Sequence, residues 1–385
     1  MRHIKLPSGK AGAFPFRLPP GALMRRRILS LVTAVALVAG SGGAVAATPA
    51  PEPGSVLSVL PGFDRLKAST TPVALNPAPR DLAVTVPVDG RDESLQEFLN
   101  KTAQGFVVLD GDRIVKEWYA PGYSQSTEFQ SWSMAKSFTS DAVGIALAEG
   151  KIRSLDDTVE AYLPELSKSG YAGVSLRNLL RMTSGIAWNE SSDDVPLHVS
   201  VSMGWFSTLQ FASVRKRAEE PGTRYNYSSM NSAVLALVVA RATGVPFHRY
   251  VQDRIWTPAG MASTAYVGND SHGNGLGYCC IYARARDFAR FGKMMLDGGS
   301  VAGRQVVPAS WVTEATTPSP VNARYGLHWW LDGPDAFYAS GLGGQLIYVD
   351  RKNHVVIVRT TLYNLDDDET MPMFRAVAAE VARTR

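Results

Sequence analysis

A serine and a lysine stand three residues apart at the start of a strongly helical segment, Ser-Trp-Ser-Met-Ala-Lys at 131–136. In a helix this spacing places the Ser133 hydroxyl and the Lys136 amine on one face, within reach of each other. The free N–H groups and the positive field of a helix N-terminus favour a developing alkoxide and depress the pKa of a lysine. A serine becomes a nucleophile when a base takes its proton. The pair therefore suits nucleophilic catalysis, although this spacing alone is common by chance.

Two later segments add to this pair. Residues 221–229 read Pro-Gly-Thr-Arg-Tyr-Asn-Tyr-Ser-Ser, which places Tyr227 two residues before Ser229 and just ahead of a helical pattern. Residues 339–345 read Ala-Ser-Gly-Leu-Gly-Gly-Gln and are predicted to open a β-strand whose glycines admit a substrate close to the backbone. The chain thus carries Ser-x-x-Lys, Tyr-x-Ser and a glycine-containing triplet on a late strand, in that order.

This order resembles the serine β-lactamase and penicillin-binding-protein superfamily. Further similar segments are Leu-Leu-Arg-Met-Thr-Ser-Gly at 179–185, Ala-Arg-Asp-Phe-Ala-Arg-Phe-Gly at 285–292 and Tyr-Gly-Leu-His-Trp-Trp at 325–330. Together with the Pro-Gly before the tyrosine, the ordered set is similar to class C β-lactamases, to family VIII carboxylesterases and, most of all, to 6-aminohexanoate-dimer hydrolases. The resemblance covers about residues 95–385.

Transferred to the matching positions, the resemblance implies that Ser133 is the nucleophile and that Lys136 and Tyr227 are its acid–base partners. Tyr227 would pass the proton to the leaving group. The backbone N–H groups of Ser133 and Leu342 would form the oxyanion hole, and the Ser229 side chain would orient Lys136 by a hydrogen bond. The residues predicted to bind the substrate are Ser229, Trp188, Glu190, Trp330 and Gly341.

Two positions depart from the pattern of β-lactamases and peptidases. Their late triplet begins with a basic residue that holds the substrate carboxylate, whereas this chain has Ala339 there, and the third residue of their Tyr-x-Asn is here Ser229. Both changes favour ester or linear amide substrates. Three acidic residues follow Trp188, namely Glu190, Asp193 and Asp194. They either rim the pocket and hold a cationic amine of the substrate or form a solvated acidic loop.

The sequence therefore predicts a serine hydrolase that cleaves a small ester or linear amide through an acyl-enzyme. A β-lactamase or D-Ala-D-Ala peptidase is an alternative, against which Ala339 argues. A non-catalytic penicillin-binding-like module is a second alternative, against which the complete set of Ser133, Lys136 and Tyr227 argues. An unrelated α/β-hydrolase is disfavoured because the chain has no Gly-x-Ser-x-Gly segment. The oligomeric state is left open.

The N-terminal segment predicts export. Arg25–Arg27 precede an apolar run at 28–40 and then Ala44-Val45-Ala46, which is the order of a signal peptide cleaved near Ala46, with residues 1–23 as an upstream extension. The apolar run is shorter than the roughly 20 residues of a membrane-spanning helix, so we expect no stable span in the mature chain. Without residues 1–46 the chain has 32 basic and 35 acidic residues. The chain also has no polybasic stripe in its sequence, and we expect no nucleic-acid partner.

The two cysteines are neighbours, Cys279 and Cys280, and we expect them to be two buried thiols, because adjacent cysteines close no loop that would stabilise a fold. The six histidines are scattered, and no Cys/His group has the spacing of a zinc site. The sequence thus predicts neither a metal nor a cofactor.

With 45% hydrophobic and 19% charged residues, the 385-residue chain is typical of a globular protein with one or two cores. Strand patterns at both ends and helical patterns between them predict a discontinuous α/β domain with a helical insertion. The resemblance implies that this fold is of the β-lactamase/transpeptidase type. Its antiparallel sheet, flanked by helices, would be formed by the N- and C-terminal parts of the chain, with a helical insertion domain. The expected divisions are a Pro/Ala-rich linker and arm at 47–92, an α/β domain at 93–150 plus 276–385, and a helical domain at 151–275. The expected strands are 105–109, 113–119, 326–331, 346–350 and 355–362, and the expected helices are 134–149, 176–182, 231–243 (capped by Ser228 or Ser229), 285–296 and 371–383.

Overall fold

The structure is a computed structural model that describes residues 62–88, 90–362 and 367–385. The predicted signal peptide, residues 1–46, and the first part of the predicted linker lie outside the described residues. The strands are β1 Phe63–Leu66, β2 Asn76–Pro77, β3 Thr85–Val88, β4 Arg91–Ser94, β5 Gly105–Asp110, β6 Arg113–Tyr119, β7 Glu128–Gln130, β8 Ala265–Gly268, β9 Ile281–Arg284, β10 Ser300–Val301, β11 Arg304–Gln305, β12 Trp330–Asp332, β13 Ala336–Ser340, β14 Leu346–Asp350 and β15 Val355–Thr360. The α-helices are α1 Leu95–Thr102, α2 Ala135–Ala148, α3 Leu176–Leu180, α4 Glu190–Ser202, α5 Thr208–Ser213, α6 Ser229–Thr243, α7 Phe247–Val251, α8 Ala285–Leu296, α9 Ala309–Ala315 and α10 Asp367–Arg383. Short 3₁₀ turns lie at Trp132–Met134, Val159–Ala161 and Pro164–Leu166, and a π-helical turn at Gln252–Trp256.

A seven-stranded sheet in the order β12-β13-β14-β15-β5-β6-β2 forms the centre of the fold. Its neighbouring strands are antiparallel except for the short parallel pair β2–β6. Strand β15 joins the two ends of the chain, because Val355 lies opposite Asp110 of β5 and Thr360 lies opposite Gly105. This pairing confirms the predicted α/β fold and the sheet that both ends of the chain build.

Strand β15 is buried along its whole length because helices cover both faces of the sheet. Val356 and Val358 lie in the larger core together with residues of α2, α6 and α8, whereas Val355 and Ile357 lie in a smaller core with residues of α1 and α10. The alternation is the two-residue period of a strand, and burial on both sides is typical of a central strand.

Helix α2 lies in the larger core and is buried from Ala135 to Ala146. It packs against α6, which is buried from Ser229 to Val239. Helices that are apolar on nearly all sides occupy the interior of a domain. The N-termini of these two helices carry the Ser-x-x-Lys and Tyr-x-Ser segments, so the packing of α2 on α6 brings the two motifs together.

A second sheet, in the order β1-β8-β9-β7, lies beside the start of α2. Its strand β7 ends one residue before Ser131, and the Ser131 N–H donates to the carbonyl of Ile281 at the start of β9 (2.8 Å). Strand β1 belongs to the predicted arm at 47–92, so part of that arm is built into this sheet. The division into an α/β domain and a helical domain stays a prediction.

The predicted elements are confirmed to within a few residues except near the glycine-containing triplet and after Trp188. Residues 326–329 form a turn, so the expected strand at 326–331 starts only at Trp330. The triplet closes strand β13 rather than opening a strand, and Gly341 begins the turn to β14. The acidic segment after Trp188 begins helix α4. The Asn189 side chain caps this helix by accepting the Ser191 N–H (3.1 Å), a favourable arrangement for a helix start.

Among the described residues, no single helix is long and apolar enough to cross a membrane. One pair of consecutive helices, Ser229–Thr243 with Phe247–Trp256, reaches the required length and hydropathy together, but the two are bent by 79°.

Candidate active site

The Ser133 hydroxyl and the Lys136 amine meet at the start of α2, as their spacing predicts. Ser133 lies in the 3₁₀ turn Trp132–Met134 that leads into the helix, and Lys136 lies in the first turn of the helix itself. The distance from Lys136 Nζ to Ser133 Oγ is 2.7 Å. Trp132, directly before the serine, has a φ of 45°, in the left-handed region that non-glycine residues rarely adopt. Such local strain is typical of functional sites, where the surrounding packing holds it.

Lys136 is buried, and its ammonium group reaches three oxygen atoms. Besides Ser133 Oγ, Nζ donates to Ser229 Oγ (3.0 Å) and to the backbone carbonyl of Tyr278 (3.1 Å). Burial lowers the pKa of Lys136 because the charged form loses its hydration, while the carboxylates of Glu190 and Asp194 partly raise it. A lowered pKa is what a lysine needs in order to accept a proton near neutral pH.

Tyr227 lies directly beside this pair. Lys136 Nζ is 4.9 Å from the centre of the Tyr227 ring, and the Ser133 hydroxyl is close enough to lower the pKa of Tyr227 by hydrogen bonding. Burial and the charge of Glu190 nevertheless raise the pKa of Tyr227 well above its ordinary value, so the phenol is protonated at neutral pH. A protonated phenol near the serine hydroxyl can relay a proton.

The loop with the sequence Thr-Ser-Gly at 183–185 positions Tyr227. The carbonyl of Met182 accepts the backbone N–H of Asn226 (2.7 Å), and the carbonyl of Thr183 accepts that of Gly222 (2.8 Å). At Gly185, whose φ is 72°, a Cβ atom would lie 2.1 Å from the carbonyl oxygen of Glu219. Only glycine therefore allows the two segments to approach this closely.

Glu190 lies behind Ser229, at the N-terminus of α6. One oxygen of its carboxylate accepts the Trp188 indole N–H (2.6 Å) and the Ser229 backbone N–H (2.8 Å), and the other accepts the Ser229 hydroxyl. Ser228 occupies the N-cap position, but its side chain makes no capping bond. Glu190, which lies in another part of the chain, therefore caps the N-terminus of α6. A carboxylate at this end of the helix also complements the helix dipole.

The turn after β13 lies against the segment that precedes Ser133. A Cβ atom at Gly341 would be 2.5 Å from the carbonyl oxygen of Ser131, so glycine is required for the contact. Among the described residues, the backbone N–H groups of Ser133 and Leu342 form no backbone hydrogen bond to another element or turn. The Leu342 side chain is 56% exposed, which places this turn at the protein surface. The role of the two N–H groups as an oxyanion hole stays a prediction.

An aromatic wall lies on the other side of Tyr227. The Trp330 ring stacks on the Tyr227 ring at 5.8 Å with an interplanar angle of 28°.

Asp194, one turn along α4 from Glu190, has a buried Oδ1 without a hydrogen-bond partner among the described residues, and burial raises the pKa of this carboxyl group. Asp193 instead accepts the backbone N–H of Asn189 (2.8 Å) within its own helix. Substrate contacts of Trp188, Glu190, Ser229, Trp330 and Gly341 stay predictions.

The sequence analysis missed Tyr278, whose carbonyl is the third oxygen around Lys136. No motif marks this residue, although it directly precedes the cysteine pair. Cys279 and Cys280 are buried, as expected, but they form a disulfide with each other rather than two thiols, so that expectation was wrong. A bond between neighbouring cysteines adds little to the stability of a fold, but this does not prevent the bond from forming.

Comparison with known proteins agrees with this geometry. The family model described as Beta-lactamase matches residues 95–380. A 6-aminohexanoate-dimer hydrolase from Paenarthrobacter ureafaciens is 30% identical over 292 residues, which are 69% of this chain and 74% of that protein.

Two solved structures show the same fold. A Bacillus anthracis protein classed with the 6-aminohexanoate-dimer hydrolases has a TM-score of 0.75 at 22% identity, covering 88% of this chain and 98% of its own. A family VIII carboxylesterase has a TM-score of 0.58 at 18% identity, covering 72% and 92%. The family match includes Ser133, Lys136 and Tyr227 in one continuous region. The chain belongs to the β-lactamase family and is a serine hydrolase.

Proposed function

We propose that the protein hydrolyses esters and linear amides through an acyl-enzyme on Ser133. The observation that carries this proposal is the 2.7 Å contact between Ser133 Oγ and the buried Lys136 amine. Neutral Lys136 takes the serine proton as Ser133 Oγ attacks the substrate carbonyl, and the oxyanion is held by the N–H groups of Ser133 and Leu342. Tyr227 passes a proton to the leaving group, and a water molecule then cleaves the acyl-enzyme.

The charges near the nucleophile support uncharged or cationic substrates over carboxylates. The two side chains whose charges raise the pKa of Tyr227 are both acidic, Glu190 and Asp194. The residue at the start of the late triplet, Ala339, is uncharged and 1% exposed. A substrate carboxylate would therefore lie near two acids without the cation that β-lactamases present at this position. The unpartnered Oδ1 of Asp194 suits an amide substrate that carries an ammonium group.

Covalent labelling tests the nucleophile. A fluorophosphonate probe should modify the wild-type protein once, on the peptide that contains Ser133, and Ser133→Ala should abolish both labelling and hydrolysis. Ser140→Ala is the matched control, because Ser140 is buried on the same helix and its hydroxyl donates to the Leu327 carbonyl (2.6 Å), away from the nucleophile. A label on another serine in an active preparation contradicts the assignment.

The substrate class is tested by comparing kcat/KM for p-nitrophenyl butyrate and for nitrocefin on one preparation. We expect the ester to be turned over well ahead of the cephalosporin, because a buried or cleft-bound carboxylate without a partner commonly costs several kcal/mol. If nitrocefin equals or exceeds the ester, the protein is a β-lactamase and the interpretation of Ala339 is wrong.

We also propose that the chain is exported, since Arg25–Arg27, the apolar run and Ala44–Ala46 have the order of a signal peptide. Protein recovered from outside the cytoplasm of the producing cell should begin at Ala47. Unprocessed protein that stays within the cell contradicts this proposal.

A further inference from the structure

Three side chains with metal-binding atoms meet behind the catalytic lysine. Cys279 and Cys280 lie between the Tyr278 carbonyl and strand β9, and His198 faces them from α4. The two Sγ atoms and one nitrogen of His198 all lie within 4.8 Å of one another, and Cys279 Sγ is 3.9 Å from His198 Nδ1. Both cysteines are buried, at 3% and 2% exposure. The proposed hydrolytic mechanism uses none of the three side chains.

The distance between Cys279 Sγ and His198 Nδ1 is close to that between two ligands of a small tetrahedral ion, whereas the two bonded sulfurs must first move apart. Bonds of about 2.3 Å to sulfur and about 2.0 Å to imidazole nitrogen place neighbouring ligand atoms roughly 3.5–3.8 Å apart. The observed 3.9 Å between Cys279 Sγ and His198 Nδ1 therefore needs to change only by a few tenths of an ångström. Two sulfurs and one imidazole are ligands that zinc prefers, and water can complete four-coordination.

The oxidation state of the cysteines decides whether this set can bind. The thiolate is the form of sulfur that ligates metals, and a disulfide offers no thiolate. The pair is joined in this structure, so its sulfurs are not free for a cation. Reduction of the disulfide consumes two electrons and two protons and yields two thiols. When the reductant is a phosphine, the phosphorus supplies the electrons and is oxidised to a phosphine oxide, and one water molecule supplies its oxygen and the two protons. Binding of a divalent cation then displaces the two thiol protons.

We propose that reduction of the Cys279–Cys280 disulfide creates a binding site for a thiophilic divalent cation, with Zn²⁺ as the best match, held by both sulfurs and His198. Oxidation removes the two thiolates and closes the site. The inference concerns a site next to the catalytic centre and goes beyond the proposed hydrolysis.

The residues on both sides of the cysteine pair are hydrogen-bonded to the segment 131–136, which carries Ser133 and Lys136. On one side the Tyr278 carbonyl accepts from Lys136 Nζ (3.1 Å). On the other side the Ile281 backbone N–H donates to Ser131 Oγ (3.0 Å), two residues before the nucleophile. The sulfurs must separate when the disulfide opens around a cation. This movement changes the conformation of the short segment 278–281, which lies between the two hydrogen bonds. Cation binding is therefore expected to lower hydrolysis.

Titration with Co²⁺, a spectroscopic substitute for Zn²⁺, tests the site without any substrate. The wild-type protein is reduced with a phosphine, freed of reductant without oxygen, and titrated beside an oxidised sample. We expect one equivalent to bind to the reduced protein with a thiolate-to-cobalt charge-transfer band, and Zn²⁺ to displace it. We expect no such band from the oxidised protein or from the reduced Cys279→Ser/Cys280→Ser variant.

His198→Asn tests the third ligand and should weaken the reduced site by about tenfold or more, as loss of one ligand does. The thermal unfolding midpoints of all variants show whether they are folded. If the reduced wild type binds no more Co²⁺ than the double variant, or if the oxidised protein gives the same band, the proposal is overturned. Because this readout requires no hydrolysis, its failure is distinct from failure of the proposed function.

Discussion

Replacement of Ser229 is the most direct test of the proposal that Lys136 is held in place as the catalytic base. Its hydroxyl accepts a hydrogen bond from Lys136 Nζ (3.0 Å) and donates one to Glu190. Ser229→Ala removes the hydrogen bond from Lys136, which becomes charged when it takes the serine proton, and the bond to the Glu190 carboxyl group. Hydrogen bonds to charged groups contribute about 1.5–3 kcal/mol each in typical proteins. The Tyr278 carbonyl remains on Lys136, so we expect about half of this energy to be lost from the transition state. At 1.36 kcal/mol per factor of ten, kcat/KM should fall by roughly 10–100-fold.

Steady-state kinetics on a p-nitrophenyl ester separate the two roles predicted for Ser229. If it orients Lys136, kcat falls and KM changes little, whereas a direct substrate contact would raise KM at constant kcat. Ser232→Ala is the matched control, because Ser232 is buried one turn along the same helix and its hydroxyl bonds His328 Nε2 (2.8 Å). The control should lose comparable stability and keep kcat/KM within about twofold. A Ser229→Ala variant that keeps more than half of the wild-type kcat/KM refutes the account.

Three further predictions concern other parts of the molecule. Lys136→Ala should lower turnover of activated esters and amides by roughly 10²–10⁴, and unchanged rates on both would leave Lys136 a structural role only. Gly341→Ala should lower kcat by roughly 10², because a Cβ atom 2.5 Å from the Ser131 carbonyl displaces the oxyanion turn, and an unchanged kcat would separate that turn from the reaction. Burial raises the pKa of Asp141 well above its ordinary value, so the folded state holds a proton that the unfolded state releases, and stability falls as the pH rises above about 4. The melting temperature of Asp141→Asn relative to wild type should therefore be higher at pH 8 than at pH 5, and an equal difference at both pH values contradicts the assignment.

The parts of the site that depend on local geometry were predictable from the sequence. Three-residue spacing at a helix start fixes the separation of two side chains, and Ser133 and Lys136 meet accordingly. The ends of α6 were predictable for the same reason, since Gly244 at its C-cap has a φ of 69°, which glycine adopts freely. The sheet that both chain ends build followed from strand patterns at 105–119 and 346–362.

The parts that depend on contacts between distant segments were not predictable. The Tyr278 carbonyl and Lys136 are 142 residues apart, and a backbone carbonyl carries no sequence signal. The sequence predicts Glu190 as a rim residue or as part of an acidic loop, whereas in the structure it caps the helix that begins at Ser229. Its neighbour Asn189 did carry a signal, because asparagine followed by acidic residues is typical of a helix start. The charge pattern of the segment does not by itself indicate this helix.

The pairing of β5 with β15 has a consequence for how the chain folds. The Asp110–Val355 pair joins residues separated by most of the described chain, so the central sheet cannot close until β15 has left the ribosome. Contacts of such long range make folding slow, because a large loop must be ordered before they form. Until then, one edge of the apolar strand β5 stays unpaired and can join another chain. Synthesis of this protein should therefore produce a long-lived, aggregation-prone intermediate, and a truncation before residue 355 should accumulate it.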